Sequence, residues 1–414
     1  MKRYNNLFDK ICTIANFNKA LDNAIKGKKY YIEVKKIIVS RWRVISKLYK
    51  SVKDQNYKVG KYTVYDMWTG HKWRTIYKVP MVDRIVQHAI MIHIEKIFRD
   101  SFINDTFQSI KGRGIHQCLK RIKRFIKDKD GAKYCLTVDI HKCYPSIDKE
   151  ILKYFLTKKF KDKLLLWLLF VIVDSCDKGV PIGNYTSQYF NNYYFSFLDH
   201  FCKEVLRIKY YVRYCDNILI FGADKELLRF YYNEINKFVN NLHVKINNGW
   251  QIYPIDKRGI DAFGYIVYTD HVLLRKSTKL NFIRACKNIN FDDLSERDIN
   301  VLGSYWGIMI HADCRNLWFK YTGVKKFEDL HVKVHERKFI REILNQDIVI
   351  NNVLFYNRRG ENRVRLTIDI DDLKDVYVTT SGEILIEAAR QFKQSDFPFT
   401  AQIIETENGY YKFK

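Results

Sequence analysis

The sequence predicts an α+β fold with a separate, smaller β unit at its C-terminus. Three observations carry this. Apolar residues recur at helical spacing along much of the chain, as in "NLFDKICTIANFNKALDNAIKGKK" near the start. Between such stretches stand short apolar runs of strand character, "CLTVD" ending at Asp139 and "YVRYCDNILIFG" at 211–222. The final stretch changes to closely spaced short strands with a different charge balance. A chain of 414 residues with 47% hydrophobic content buries a large core and has room for two or three structural units.

Taken in order, residues 4–55 are basic and helical in period. "KVGKYTVYDMWTGHKWRTIYKVP" reads as a hairpin turning at Thr69-Gly70. A long helix is expected from Asp83, whose acid suits a helix start, to about Phe98. After "GRG" at 112–114, "IHQCLKRIKRFIKDKD" predicts a helix with Lys and Arg on one side. "KYCLTVDIHKCYPSI" is strand-like up to Asp139, followed by helices to about Asp174. "KGVPIGNYTSQYFNNYYFSFLDHFCKEVL" opens as a loop and becomes a helix. Beyond Gly222, "KELLRFYYNEINKFVNNL" is helical, "AFGYIVYTDHVLLRK" is a hairpin, and 278–312 is helical again. The last section, from "QDIVINNVLFYN" to "GYYKFK", holds about five short strands and the helix-like "GEILIEAARQF", a pattern that predicts a small barrel.

Charge narrows the function. The formal net charge is +26, and 13 basic and 13 acidic residues cancel over 331–414. The first 330 residues, with 59 basic against 33 acidic, therefore hold the whole excess. Such an excess costs self-repulsion and serves no folding purpose, so a polyanionic partner is expected, gripped mainly by the first part. The alternative is a merely basic surface. Nine cysteines without a CxxC pair indicate neither a zinc site nor a disulfide framework, and they fit a reducing cytoplasm. No signal peptide and no apolar run of spanning length is visible, so no membrane partner is expected.

Asp139 and Asp216 each end a strand-like run, 77 residues apart. If those strands are neighbours, the two carboxylates converge and repel, and divalent cations relieve the repulsion. Magnesium takes a few carboxylates together with substrate phosphate oxygens. In a basic chain this pairing points to phosphoryl transfer on nucleic acid. A strand-end Asp that caps a turn is the commoner fate of either acid alone.

The motifs as a set resemble bacterial reverse transcriptases of the group II intron-related, non-retroviral kind, over about residues 4–325. "VDIHKCYPSID" is similar to the family's first catalytic motif, "GVPIGNYTSQ" to the motif along the nascent base pair, "YCDN" to the Tyr-x-Asp-Asp turn, and "GIDAFGY" to the strand after it. Upstream, "KWRTIYKVPMVDRIVQHAI" and "DTFQSIKGRGIHQCLKRI" resemble the fingers, and "LGSYWGIMIHADCRNLWFKY" the thumb. The resemblance implies a right-hand polymerase with fingers and palm over 1–275, an α-helical thumb over 276–325, and a C-terminal domain over 326–414 that is more weakly similar to OB-like barrels. It implies Asp139, Asp216 and the Ile140 carbonyl as ligands of magnesium, with manganese as a substitute, and Asn217 at the catalytic turn. It further implies Lys72 and Arg74 on the triphosphate, Tyr144 as the gate against a ribose 2′-OH, and Gln188 beside the incoming nucleotide. Each has a plainer reading: Tyr144 as packing, Arg74 as one half of a surface ion pair, and Ser187 and Gln188 as helix caps.

The implied activity is RNA-directed DNA polymerisation, with dNTPs extending a DNA primer on template RNA by two-metal phosphoryl transfer. The Ile-Gly-x-x-x-Ser-Gln form at 182–188 is most like diversity-generating retroelements and defence-associated enzymes of the unknown group. This implies a cognate non-coding RNA in anti-phage defence. Diversity generation with an accessory protein is the alternative, as is a non-catalytic RNA-binding scaffold. Oligomerisation or docking is expected of the neutral C-terminal domain as much as nucleic-acid contact. Two departures stand out. Asn217 replaces the usual second Asp and lacks its charge. The lysine often found before the next strand is replaced by Asn248 or Gly249, with Lys245 nearby.

Overall fold

Capping and periodicity begin the fold at the N-terminus. Thr13 Oγ1 accepts the Asn16 N–H at 3.1 Å and starts the helix Ile14–Ile25, whose Phe17, Ala20, Leu21 and Ala24 form one buried stripe. The computed structural model describes residues 2–68, 73–291, 294–327, 330, 337–338, 347–358, 361–370, 373–380, 398–405 and 411–413. They divide into two compact units, Met1–Asn281 with Ile308–Cys314, and Phe282–Gly307 with Arg315–Lys414. The segment expected as thumb is therefore shared between the two units.

In the first unit, β1 (Thr63–Trp68) and β2 (Trp73–Lys78) pair as an antiparallel hairpin with Trp68 opposite Trp73. The expected turn at Thr69-Gly70 lies outside the described residues. The hairpin is anchored at its base, where Tyr77 N–H donates to the Ile182 carbonyl at 3.0 Å. The following helix is Met81–Arg99, two residues earlier than expected, with Pro80 at its N-cap position. Asp83 falls in the first turn of this helix. It is buried and accepts from Tyr57 Oη (2.7 Å) and Gly60 N–H (3.0 Å), which ties the 57–60 loop to the helix.

The centre of this unit is a five-stranded sheet of β3 (Thr106–Phe107), β4 (Tyr134–Asp139), β5 (Tyr210–Tyr214), β6 (Asn217–Gly222) and β7 (Gln251–Pro254), in the order β3-β5-β6-β4-β7. Strand alternation divides its residues between two buried faces. Leu136, Val138, Tyr211, Ile218 and Ile220 join the main core with Tyr193, Tyr194 and Phe195 of the helix Tyr185–His200. On the other face Phe125, from the helix Ile115–Phe125, lies 6.3 Å from Phe221 and 5.1 Å from Tyr210, ring to ring. That helix ends before the expected Asp130. Its Cys118, Leu119 and Ile122 are buried while Lys120, Lys123 and Arg124 face solvent. A smaller sheet of β8 (Ile260–Ala262), β9 (Tyr265–Val267) and β10 (Val272–Leu274) follows, in the order β10-β9-β8. The expected helical stretch 278–312 forms two helices, Lys276–Lys287 and Glu296–Met309.

In the second unit the fully buried Trp318 stacks on Phe282 at 5.7 Å and meets Trp306 at 4.8 Å. Its strands are β11 (Arg337–Lys338), β12 (Asp347–Arg358), β13 (Glu361–Ile370), β14 (Leu373–Thr380), β15 (Phe399–Glu405) and β16 (Tyr411–Phe413). They pair in the open order β11-β14-β13-β12-β15-β16 among the described residues. The helix expected over 382–392 lies outside them. No helix of the described residues is long and apolar enough to cross a membrane.

One packing detail gives a pH prediction. The His88 ring stacks on Tyr185 at 4.2 Å, and burial, aided by Arg84 and Lys28, depresses its pKa to about 4. The unfolded chain takes up this proton near pH 6.5, whereas the folded one does so only near pH 4, so stability present at neutral pH is lost as pH falls between them. Denaturant titrations over that window should show a slope shallower by one proton in His88→Gln than in the parent. Equal slopes would mean that the folded state binds the proton as readily as the unfolded one.

Candidate active site

The register of the central sheet builds the site. β4 and β6 are antiparallel neighbours with Asp139 directly opposite Asn217, and β5 places Tyr214 opposite Asn217 in turn. Tyr214, Asn217 and Asp139 thus form one row across three strands, all on one face. Asp216 occupies the turn between β5 and β6, next to Cys215, whose φ of 57° is left-handed. The Ile140 N–H donates to the Asp216 carbonyl at 3.0 Å, so the backbone beyond Asp139 grips the turn. The two acids anticipated as partners are therefore brought together, and Ile140 with them.

Asn217 stands where a second acid would face Asp139 head-on. Its exposed amide instead donates Nδ2–H to Asp216 Oδ1 at 3.0 Å. A neutral residue there removes like-charge repulsion from a directly opposed pair.

Asn247 is a site residue that the sequence did not reveal. Its N–H donates to the Asp139 carbonyl at 2.8 Å and its Nδ2–H to Asp139 Oδ2, while Oδ1 pairs with His141 Nδ1 at 2.8 Å. It reaches the site because 245–247 runs beside 139–141, with His141 N–H donating to the Lys245 carbonyl at 2.8 Å. An asparagine in a loop carries no pattern that would have flagged it. Asn248 and Gly249 are exposed and continue towards β7.

Tyr144 is half-buried, with its hydroxyl beside Cys215, and burial pushes its phenol pKa up. The Cys143 thiol donates to Asn191 Oδ1 at 2.9 Å and lies against Cys215, whose own pKa it lowers. The Val180 N–H donates to the Tyr144 carbonyl at 3.1 Å. Gly179 has a φ of 57°, and a Cβ there would lie 2.2 Å from the Tyr144 oxygen. Only a glycine permits so close a passage of the two chains. The "GVPIG" loop thereby packs closely against the main chain of Tyr144 and Pro145.

The remaining candidates are spread more widely. Arg74 is exposed on β2, opposite Met67, and Gln188 is exposed in the first turn of the helix Tyr185–His200. Their segments are joined by the Tyr77–Ile182 bond and by Gly183, where a Cβ would meet the Tyr77 oxygen at 2.3 Å. Ser187 is buried, and neither it nor Gln188 is the N-cap, which is Asn184. Lys72 lies outside the described residues.

The donor set suits magnesium. Two carboxylates on adjoining backbone and a main-chain carbonyl are hard oxygen ligands, too few to fill an octahedron, which leaves room for substrate phosphates. Among the described residues no third His, Cys, Asp or Glu joins them in a ligand cluster.

Comparison with known proteins bears on this arrangement. Residues 66–249 match the family model described as reverse transcriptase (RNA-dependent DNA polymerase). The chain contains a reverse transcriptase domain. Asp139, Asp216, Asn217 and Asn247 all lie within it. Residues 335–414 match a domain of unknown function (DUF8468). A putative COX1/OXI3 intron 2 protein of Saccharomyces cerevisiae is 24% identical over 256 residues, 45% of this chain and 29% of that protein. The chain thus spans less than a third of that relative's length. Telomerase from Candida albicans, in complex with a TWJ fragment of telomeric RNA, superposes with a TM-score of 0.41 at 12% identity, over 70% of this chain and 61% of that one.

The reverse transcriptase domain allows a test of residue 217. Asn217→Asp adds a carboxylate beside Asp216 and opposite Asp139. The magnesium concentration for half-maximal nucleotide incorporation should fall several-fold. A magnesium titration with an unchanged midpoint would mean that residue 217 does not bear on any ion requirement of the site.

Proposed function

We propose that this chain is an RNA-directed DNA polymerase that extends a primer 3′-OH with dNTPs on an RNA template. The observation that carries the reading is the backbone bond from Ile140, next to Asp139, to the Asp216 carbonyl, which joins the two acid-bearing segments within the reverse transcriptase domain. Asp139, Asp216 and the Ile140 carbonyl would hold magnesium, with manganese as a substitute. Two such ions, when bound, activate the attacking oxygen and stabilise the leaving pyrophosphate. The protein's own part is to place and neutralise. Arg74, with Lys72, supplies positive charge for the triphosphate, and Gln188 lies along the nascent pair. Tyr144 limits the space at the ribose 2′ position. Lys120, Lys123 and Arg124 form a basic face for phosphate-backbone contact with the template and product.

The form of the 182–188 motif supports a dedicated non-coding RNA as template and a role in anti-phage defence. Asn217 favours one competing reading, a scaffold that keeps RNA binding without synthesis. Primer extension on an RNA template with dNTPs and magnesium separates the two. Template-dependent incorporation is expected. RNA binding with no incorporation on any primer–template would leave the scaffold. In cells, phage plating should show protection by the parent and none by Asp139→Asn, and sequencing of the copurified RNA and DNA would identify the template.

A further inference from the structure

The sheet face opposite the Asp139 row holds a buried ion pair whose connections lead to the catalytic turn. Arg213 and Asp199 are both fully buried, and the guanidinium grips the carboxylate with two bonds, Nε to Oδ1 and Nη2 to Oδ2, each 2.7 Å. Tyr211 Oη (2.6 Å) and Thr106 Oγ1 (2.7 Å) complete the hydrogen bonding of Asp199. Arg213 has donors left over. Its Nη1 donates to the Cys215 carbonyl at 3.0 Å and to Asn192 Oδ1 at 3.3 Å. Nη2 reaches the Asn192 carbonyl at 3.4 Å.

We propose that the Arg213–Asp199 pair is a positioning device for Asp216, holding the Cys215 carbonyl and so fixing the backbone that presents the carboxylate. Stability alone does not account for the pair. Desolvating two charges offsets most of their attraction, and apolar replacements of similar volume are often neutral or stabilising. What an apolar residue cannot do is donate to the Cys215 carbonyl. That bond matters because Cys215 has a φ of 57°, a conformation that side-chain-bearing residues keep only where their surroundings impose it. The turn is held at two successive carbonyls: at Cys215 by Arg213, and at Asp216 by the Ile140 N–H from the Asp139 strand. Loss of the first grip leaves Asp216 hinged on the second. Asp199 acts one step further back, by orienting the guanidinium.

The inference rests on the polymerase reading for its purpose, but its physical content is tested without nucleotide. Two variants share the test. Arg213→Met with Asp199→Leu removes both charges at similar volume. Arg213→Lys keeps a cation for Asp199 but lacks the planar fork that serves Asp199 and Cys215 together. In metal-free protein, deuterium exchange at the 215–218 amides should quicken at least ~10-fold in either folded variant, with exchange in the Ile115–Phe125 helix unchanged. Manganese affinity, read by electron paramagnetic resonance, should weaken about 10- to 100-fold, and kcat should fall by a similar factor with primer–template affinity unaltered. Should the double variant fail to fold, Arg213→Lys decides alone. Unchanged turn exchange and manganese affinity in a folded variant would make the pair merely structural and overturn the proposal. Loosened exchange in a chain whose parent synthesises no DNA would overturn the polymerase reading and leave the positioning role standing.

Discussion

Asp139→Asn is expected to reduce dNTP incorporation at least ~1000-fold while leaving the fold and RNA binding nearly intact. The substitution is close to isosteric and sits at a half-buried strand end, so the sheet loses no packing. Backbone contacts through the Asp139 carbonyl and Asn247 N–H survive it. What disappears is one negative charge at the point where divalent ions and a triphosphate would be held together. On the polymerase reading that charge would serve the transition state most, so the rate should suffer far more than substrate binding. Asp216→Asn should behave likewise. Single-turnover primer extension, with thermal melting and RNA filter binding as controls, measures all three quantities. Synthesis within a few-fold of the parent by folded Asp139→Asn would remove that residue from the chemistry.

On the polymerase reading, Tyr144→Ala should lower the preference for dNTPs over ribonucleotides on the order of 100-fold, whereas Tyr144→Phe should keep it, because exclusion of a hydroxyl there would be a matter of space. If Tyr144 is the gate, the Gly179 loop, packed on its main chain, offers a remote route to the same effect. A Cβ at Gly179 would meet the Tyr144 oxygen at 2.2 Å from a left-handed backbone, and both faults involve main chain that has no rotamer to relieve them. Gly179→Ala should therefore destabilise the protein by roughly 2 kcal/mol and relax sugar discrimination as well. Competition between each dNTP and its ribonucleotide gives the ratio directly. Parent-like discrimination by folded Gly179→Ala would mean that the loop does not set the gate.

Much of this site was legible because its signals are local. Asp139 and Asp216 end apolar runs, and that pattern alone marks both strands and the acids at their tips. The helix Ile115–Phe125 could be read from its spacing, since one stripe is apolar and its cations fall on the other side. Periodicity is written in neighbouring residues, so it needs no knowledge of the rest of the chain. Local propensity placed Asp83 in the first helical turn but not its partners. An acid early in a helix reads as an end charge for the helix dipole, yet Tyr57 and Gly60 arrive from an earlier loop and bury it.

By itself the sequence marked most of the described helices and strands, where the basic charge lies, and which two acids end strand-like apolar runs. Tertiary structure alone decided the rest. It set Asp139 opposite Asn217 rather than opposite Asp216, a matter of strand register that no single strand contains. It carried Asn247 to the Asp139 carboxylate across 108 residues of chain and seated Arg213 between Asp199 and the Cys215 carbonyl. The physical reason is the same in each case. A hydrogen bond between distant residues depends on where two backbones pass, and short polar side chains such as asparagine take whichever partner that passage provides.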